Sequence, residues 1–122
     1  QKVSNAIKKI EESIMTTDNL AYVESNLDLS SSMIVNSVLG MSGRAVAMAY
    51  KLKDDIDCYM ISVRGSKDCR VHLGRLVNDI ASEIGGSGGG HDKACGAVIP
   101  KQKIEEFIML LDKAIGTGVD IQ

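Results

Sequence analysis

Tryptophan is absent from this chain and phenylalanine occurs once, so that aromatic residues make up only 3% of it. A platform that stacks successive bases of a single strand on aromatic rings is thereby excluded. Cysteines number three, at Cys58, Cys69 and Cys95, with no CxxC pair. That odd count is no disulfide framework, and it points to a reducing, cytoplasmic setting. No apolar run approaches the ~18 residues that span a bilayer, and the N-terminus lacks a signal-peptide layout. Positive charge is not in excess either: Lys and Arg number 14 against 16 Asp and Glu, a net of −2. No global field draws nucleic acid, so any contact with a polynucleotide must be local.

What is present suits one domain. At 122 residues, with 44% hydrophobic and 25% charged residues, the chain is long enough to bury a core. Val3, Ile7, Ile10 and Ile14 recur at helical spacing, and Met15–Asn19 reads as a polar turn behind that helix. Leu20–Glu24 suits a short strand. Asp28 and Ser30–Ser32 supply cap chemistry for a helix through Leu39, ended by Gly40–Gly43. Residues 45–52 and 58–64, joined by KDDID, predict an antiparallel hairpin. Leu73, Leu76, Val77, Ile80 and Ile84 mark a further helix, Ala97–Ile99 a short strand closed by Pro100, and Ile104–Ile115 a last helix. A terminal strand is expected near Val119–Ile121. The fold class is therefore α/β, a mixed sheet of about four to five strands, including the central hairpin, covered by helices.

Residues 85–91, GGSGGGH, carry the strongest signal. Glycine costs roughly 0.5–1 kcal/mol relative to alanine in regular structure, so the run reads as a loop. Gly85 and Gly86 suit a cap on the preceding helix. Gly88, Gly89 and Gly90 lie past any cap and suit a backbone that approaches a ligand, in the first place an anion gathered by peptide N–H groups. The P-loop and dinucleotide fingerprints do not apply, because here a helix precedes the glycines and a strand follows. A helix C-terminus carries negative partial charge, so the 71–84 helix is expected to repel a phosphate there. Cations must then do the holding. Arg64, at a strand end, can grip a phosphate bidentately, and the imidazole of His91 can donate to it in either protonation state. Ser62, Ser66, Lys67 and Arg70 are accessory candidates, and Arg75 reads as a surface charge.

These residues resemble the DHH-associated substrate-binding domain of DHH-family phosphoesterases, which include RecJ-like single-strand exonucleases and oligoribonuclease/pAp-phosphatase enzymes. The hallmark GGGHxxAxG is matched by Gly88, Gly89, Gly90, His91, Ala94 and Gly96, and an S-x-R at a strand end by Ser62 and Arg64. The longer GGSGGGHD is similar to the archaeal RecJ-like branch, and the likeness covers roughly residues 20–115. Lys93–Cys95 depart from it, since many relatives carry smaller or apolar residues beside the alanine. The resemblance implies that Arg64, His91 and Gly88–Gly90 bind substrate phosphate for a separate N-terminal DHH domain, which holds manganese and activates water. This chain has no DHH motif, so no catalytic or metal-binding residue is assigned in it, and alone it is expected to be inactive. The start at Gln1 suggests a fragment, residues 1–19 being a linker helix toward that domain and 20–122 the substrate-binding domain. The expected ligands are single-stranded nucleic acid, a short oligonucleotide or a nucleotide phosphate, with no membrane partner.

Two alternatives stay open. Cys69, His72, His91 and Cys95 are residue types that zinc uses, though without a knuckle layout. The DHH-associated fold is also similar to the C-terminal domain of alanyl-tRNA synthetases, which would make this a tRNA- or nucleotide-binding module without a hydrolytic partner.

Overall fold

Small and large side chains alternate along residues 46–53, and the two faces of the sheet are built on that alternation. The computed structural model describes residues 2–26 and 29–118. Along it run α1 (Lys2–Ser13), β1 (Met15–Thr16), β2 (Leu20–Glu24), α2 (Ser31–Ser42), β3 (Val46–Lys53), β4 (Cys58–Gly65), α3 (Leu73–Glu83), β5 (Ser87–Gly90), β6 (Ala94–Pro100) and α4 (Ile104–Thr117). One six-stranded sheet has the order β1-β2-β3-β4-β6-β5. Strands β2 and β3 are parallel, joined through α2, and every other pairing in the sheet is antiparallel.

On one face Ala47 and Ala49, with Ala21 and Val23, leave room for Ile34, Val35 and Val38 of α2 and Ile10 of α1. On the other, Val46, Met48, Ile61 and Val63 meet the apolar stripes of α3 and α4, around the fully buried Phe107. The second face is covered along its length. The first is covered over β2, β3 and the part of β4 that α2 reaches, leaving β6 and β5 open on that side, and that difference positions the site.

Helix ends follow their caps. Ser30 accepts from the Met33 N–H at 3.2 Å, and Gly43 closes α2 in the left-handed conformation. The N-cap of α3 is His72, whose Nδ1 accepts from the Arg75 N–H at 3.1 Å. Replacing His72 by alanine should lower stability by about 1 kcal/mol, as loss of a side-chain cap does; a urea denaturation midpoint equal to wild type would show that the cap contributes nothing. At the far end of α3 the Gly86 N–H donates to Ala81 O and the Gly85 N–H to Ser82 O, a Schellman closure. It turns the chain back along the helix.

The sheet has more strands than the sequence reading expects. Residues Ser87–Gly90, read there as loop, form edge strand β5 paired with β6. Met15–Thr16, read as turn, pairs with β2. Two residues are too few for a period to register, and glycines contribute no side-chain pattern at all. Asp28, the strand expected at 119–121 and the side chain of Val3 lie outside the described residues. Among the described residues, no helix is long and apolar enough to cross a membrane.

Candidate phosphate-binding site

Register decides what each glycine faces. Directly paired residues project to the same side of a pleated sheet. Arg64 pairs with Ala94, Ser62 with Gly96 and Met60 with Val98; Gly89 pairs with Gly96 and Ser87 with Val98. All of these lie on the uncovered half-face, where Met60, Ser87, Gly89, Gly96 and Val98 bound an open trough of about 430 Å³. Gly88 and Gly90 turn the other way. A Cβ at Gly88 would lie 3.0 Å from both Val77 and Ala97, and one at Gly90 would lie 2.7 Å from the Cys95 backbone. Their glycines let α3 and β6 close on the strand. Gly89 differs: nothing lies within 4 Å of its missing Cβ, yet its φ of +151° excludes most side chains.

Arg64 and His91 flank the same residue. Ala94 pairs with Arg64 on one side, and its carbonyl accepts the His91 N–H at 2.8 Å on the other. Their backbones are thus roughly 10 Å apart, two strand spacings. The guanidinium lies across the open face, donating from Nη1 to Val63 O at 3.0 Å and from Nη2 to Ser32 Oγ at 3.1 Å. Two of its five N–H donors are spent on orientation and the others remain for a ligand. The His91 side chain is exposed and makes no hydrogen bond among the described residues. Ser62, half-buried between Arg64 and Gly96, likewise keeps its hydroxyl unspent.

Other candidates are occupied or displaced. Ser66 Oγ accepts from the Asp68 N–H at 3.1 Å, a local turn. Lys67 and Arg70 are exposed on the 66–72 loop, which leaves the open face for the helix-covered one. Among the described residues no three His, Cys, Asp or Glu side chains converge on a metal-sized site. Of the four residues with zinc-binding chemistry, His72 spends Nδ1 on its helix cap. Cys95 is buried, and burial pushes its thiol up to about 12, against the opposing pull of Arg64.

The expected repulsion from the α3 dipole is overturned by the course of the chain. Because β5 runs back along α3, His91 lies at the helix's N-terminal end: the Gly74 N–H donates to His91 O and the Leu73 N–H to Asp92 O, both at 3.0 Å. That end is the positive one. Its donors are all satisfied by protein groups, however, so a ligand here depends on side chains. Ser32 is the contributor that sequence reasoning missed. The run Ser30–Ser32 signals a helix cap, and no local pattern shows that Arg64, on another strand, reaches it.

The DHHA1 domain family model matches residues 20–117. The uncharacterized protein MJ0831 of Methanocaldococcus jannaschii is 40% identical over 72 residues, which cover 57% of this chain and 16% of that protein. The fold resembles the pGpG-specific phosphodiesterase PggH from Vibrio cholerae with a TM-score of 0.72 at 14% identity, over 96% of this chain and 40% of that one. It resembles Thermus thermophilus RecJ with a TM-score of 0.66 at 11% identity, over 95% of this chain and 18% of that one. The C-Ala domain of Aquifex aeolicus alanyl-tRNA synthetase matches at 0.57 and 15% identity, over 84% of this chain and 96% of that one. The chain thus spans less than a fifth of its curated relative and two fifths of PggH. With the family model covering five of the six strands, both motifs and three of the helices, this chain belongs to the DHHA1 domain family.

Proposed function

We propose that this chain is the substrate-holding domain of a metal-dependent phosphodiesterase, of the RecJ-like exonuclease type, whose hydrolytic DHH domain lies elsewhere in the same polypeptide. One observation carries the reading: Arg64 and His91 stand on either side of Ala94 at one end of a half-covered sheet, beside the unspent hydroxyl of Ser62. A phosphate there meets a guanidinium already aimed by Ser32 and Val63, an imidazole donor, and the N-terminal turn of α2 close to the guanidinium. Gly89 and Gly96 leave the floor beside it bare, so the sugar or base can lie against main chain. Manganese, expected on the DHH domain, would supply a metal-bound hydroxide for attack on phosphorus. Arg64 and His91 neutralise phosphate charge and hold it still; neither needs to transfer a proton. The three free cysteines fit a reducing compartment, and the cytoplasm is the proposed location.

Calorimetric titration of this chain with AMP and with adenosine tests the phosphate site. AMP should bind at least ~10-fold more tightly, the equivalent of one charge-assisted hydrogen bond. Equal affinities would sink the assignment and favour a binding module that reads the nucleoside alone.

A further inference from the structure

On the opposite face of the sheet from Arg64, the chain gathers all three of its tyrosines. Tyr22, Tyr50 and Tyr59 come from the neighbouring strands β2, β3 and β4. Their rings form a run: the centroids of Tyr22 and Tyr50 are 6.4 Å apart at 34°, and those of Tyr50 and Tyr59 are 5.0 Å apart at 89°. Tyr59 is buried, whereas Tyr22 and Tyr50 are half-buried and keep part of their rings in solvent. Carboxylates stand beside the run. Tyr59 Oη donates to Glu24 Oε2 at 3.3 Å, and Glu24 pairs across the sheet with Tyr50. Burial first, and then Glu24, pushes the Tyr50 phenol up to about 12, and Glu105 in the first turn of α4 acts in the same direction. No lysine or arginine counters them there. Lys51 follows Tyr50 along β3 and so projects to the other face. Among the described residues, neither Glu24 nor Glu105 has an ion-pair partner, and the Tyr50 hydroxyl makes no hydrogen bond. The negative faces of aromatic rings beside uncompensated carboxylates suit a cation, and the chain supplies none.

We propose that this tyrosine corner is a docking site for an arginine-bearing segment of a protein partner, whose guanidinium stacks on the exposed parts of Tyr50 and Tyr22 while Glu24 accepts its N–H groups. Charge complementarity selects a cation, and the rings select its shape. A guanidinium can lie flat on one ring and at the same time present its N–H edge to a carboxylate. An ammonium is a compact, strongly hydrated point charge and has no such edge. Because the corner lies on the face away from Arg64, a partner held here leaves the phosphate site open.

The chain has no tryptophan and no tyrosine outside the corner, so tyrosine emission and tyrosine ring-proton resonances report on it directly. The experiment titrates this chain with acetylated, amidated tetra-arginine, and with tetralysine and spermine as polycations of similar charge, at one ionic strength. Tetra-arginine should shift the ring-proton resonances saturably and bind roughly fivefold more tightly than either of the others. Tyr50→Leu should lose about fivefold of that affinity, whereas Tyr50→Phe, which keeps the ring face, should retain it. Glu24→Gln should lose about threefold. Arg64→Ala, on the other face, and Glu106→Gln, whose carboxylate already pairs with Lys103, should bind tetra-arginine as wild type does. Tetralysine or spermine binding as tightly as tetra-arginine, or Tyr50→Leu binding like wild type, overturns the proposal in favour of a diffuse acidic surface. Should Tyr50→Leu unfold at the assay temperature, Glu24→Gln and the preference for tetra-arginine over tetralysine decide the matter.

Discussion

Alanine at position 74 should destabilise this protein by roughly 3 kcal/mol, the upper range for forcing an atom into a closed packing, and lower its melting temperature by about 10 °C. The added Cβ would sit 2.2 Å from the Gly90 carbonyl oxygen and 2.9 Å from that of His91. Both are main-chain atoms and cannot swing aside as a side chain can. Relief requires the β5–β6 hairpin to lift from α3, which breaks the Gly74 N–H to His91 O bond and moves His91 away from Arg64. The variant should therefore lose stability and phosphate binding together. Gly40→Ala is the control: its Cβ meets nothing within 4 Å in the last turn of α2, so there alanine should stabilise by roughly 0.5–1 kcal/mol. Differential scanning calorimetry of the two variants gives shifts of opposite sign if these contacts are as described. A Gly74→Ala melt equal to wild type would deny the close approach.

Removing the Arg64 guanidinium should cost AMP binding roughly 1.5–3 kcal/mol, the range for a hydrogen bond to a charged group, or about 10- to 150-fold in affinity. The fold should tolerate the change, because the side chain is only half-buried and makes two hydrogen bonds to the protein. Lysine should restore only part of the affinity: it returns the charge but not the planar fork that Ser32 and Val63 orient. Calorimetric titration of wild type, Arg64→Ala and Arg64→Lys orders the three. Full rescue by lysine would mean that the site uses a diffuse positive field and no bidentate grip.

Much of this arrangement is legible in the sequence because its causes are local. The stripe from Leu73 to Ile84 and the KDDID turn announce α3 and the β3–β4 hairpin through periodicity and turn chemistry, and the family resemblance brings Arg64 and His91 together in advance. What escaped depends on partners distant in the chain. The glycines of β5 form a strand because α3 and β6 press on them: Gly88 against Val77 and Gly90 against Cys95. A composition that argues for a loop therefore marks close packing at two positions and open backbone at one. Gly74 carries no signal of its own, since the atom it must avoid belongs to residue 90. The negative pole of the α3 dipole lies at Ile84, as its sequence position indicates. The returning strand carries His91 to the opposite end, a turn that no local pattern shows. Likewise Ser32 meets Arg64 only through the crossover that lays α2 across the sheet.

Leaving β6 and β5 bare on one side, beside a β4 that α2 covers only in part, has a dielectric consequence. Two unit charges 4 Å apart attract by about 1 kcal/mol in bulk water and by about 4 kcal/mol at an effective dielectric constant of 20. Arg64 and His91 face solvent, so the grip this domain exerts by itself sits near the weaker of those limits. A second wall laid over the bare strands would strengthen the same contacts several-fold without moving an atom of them.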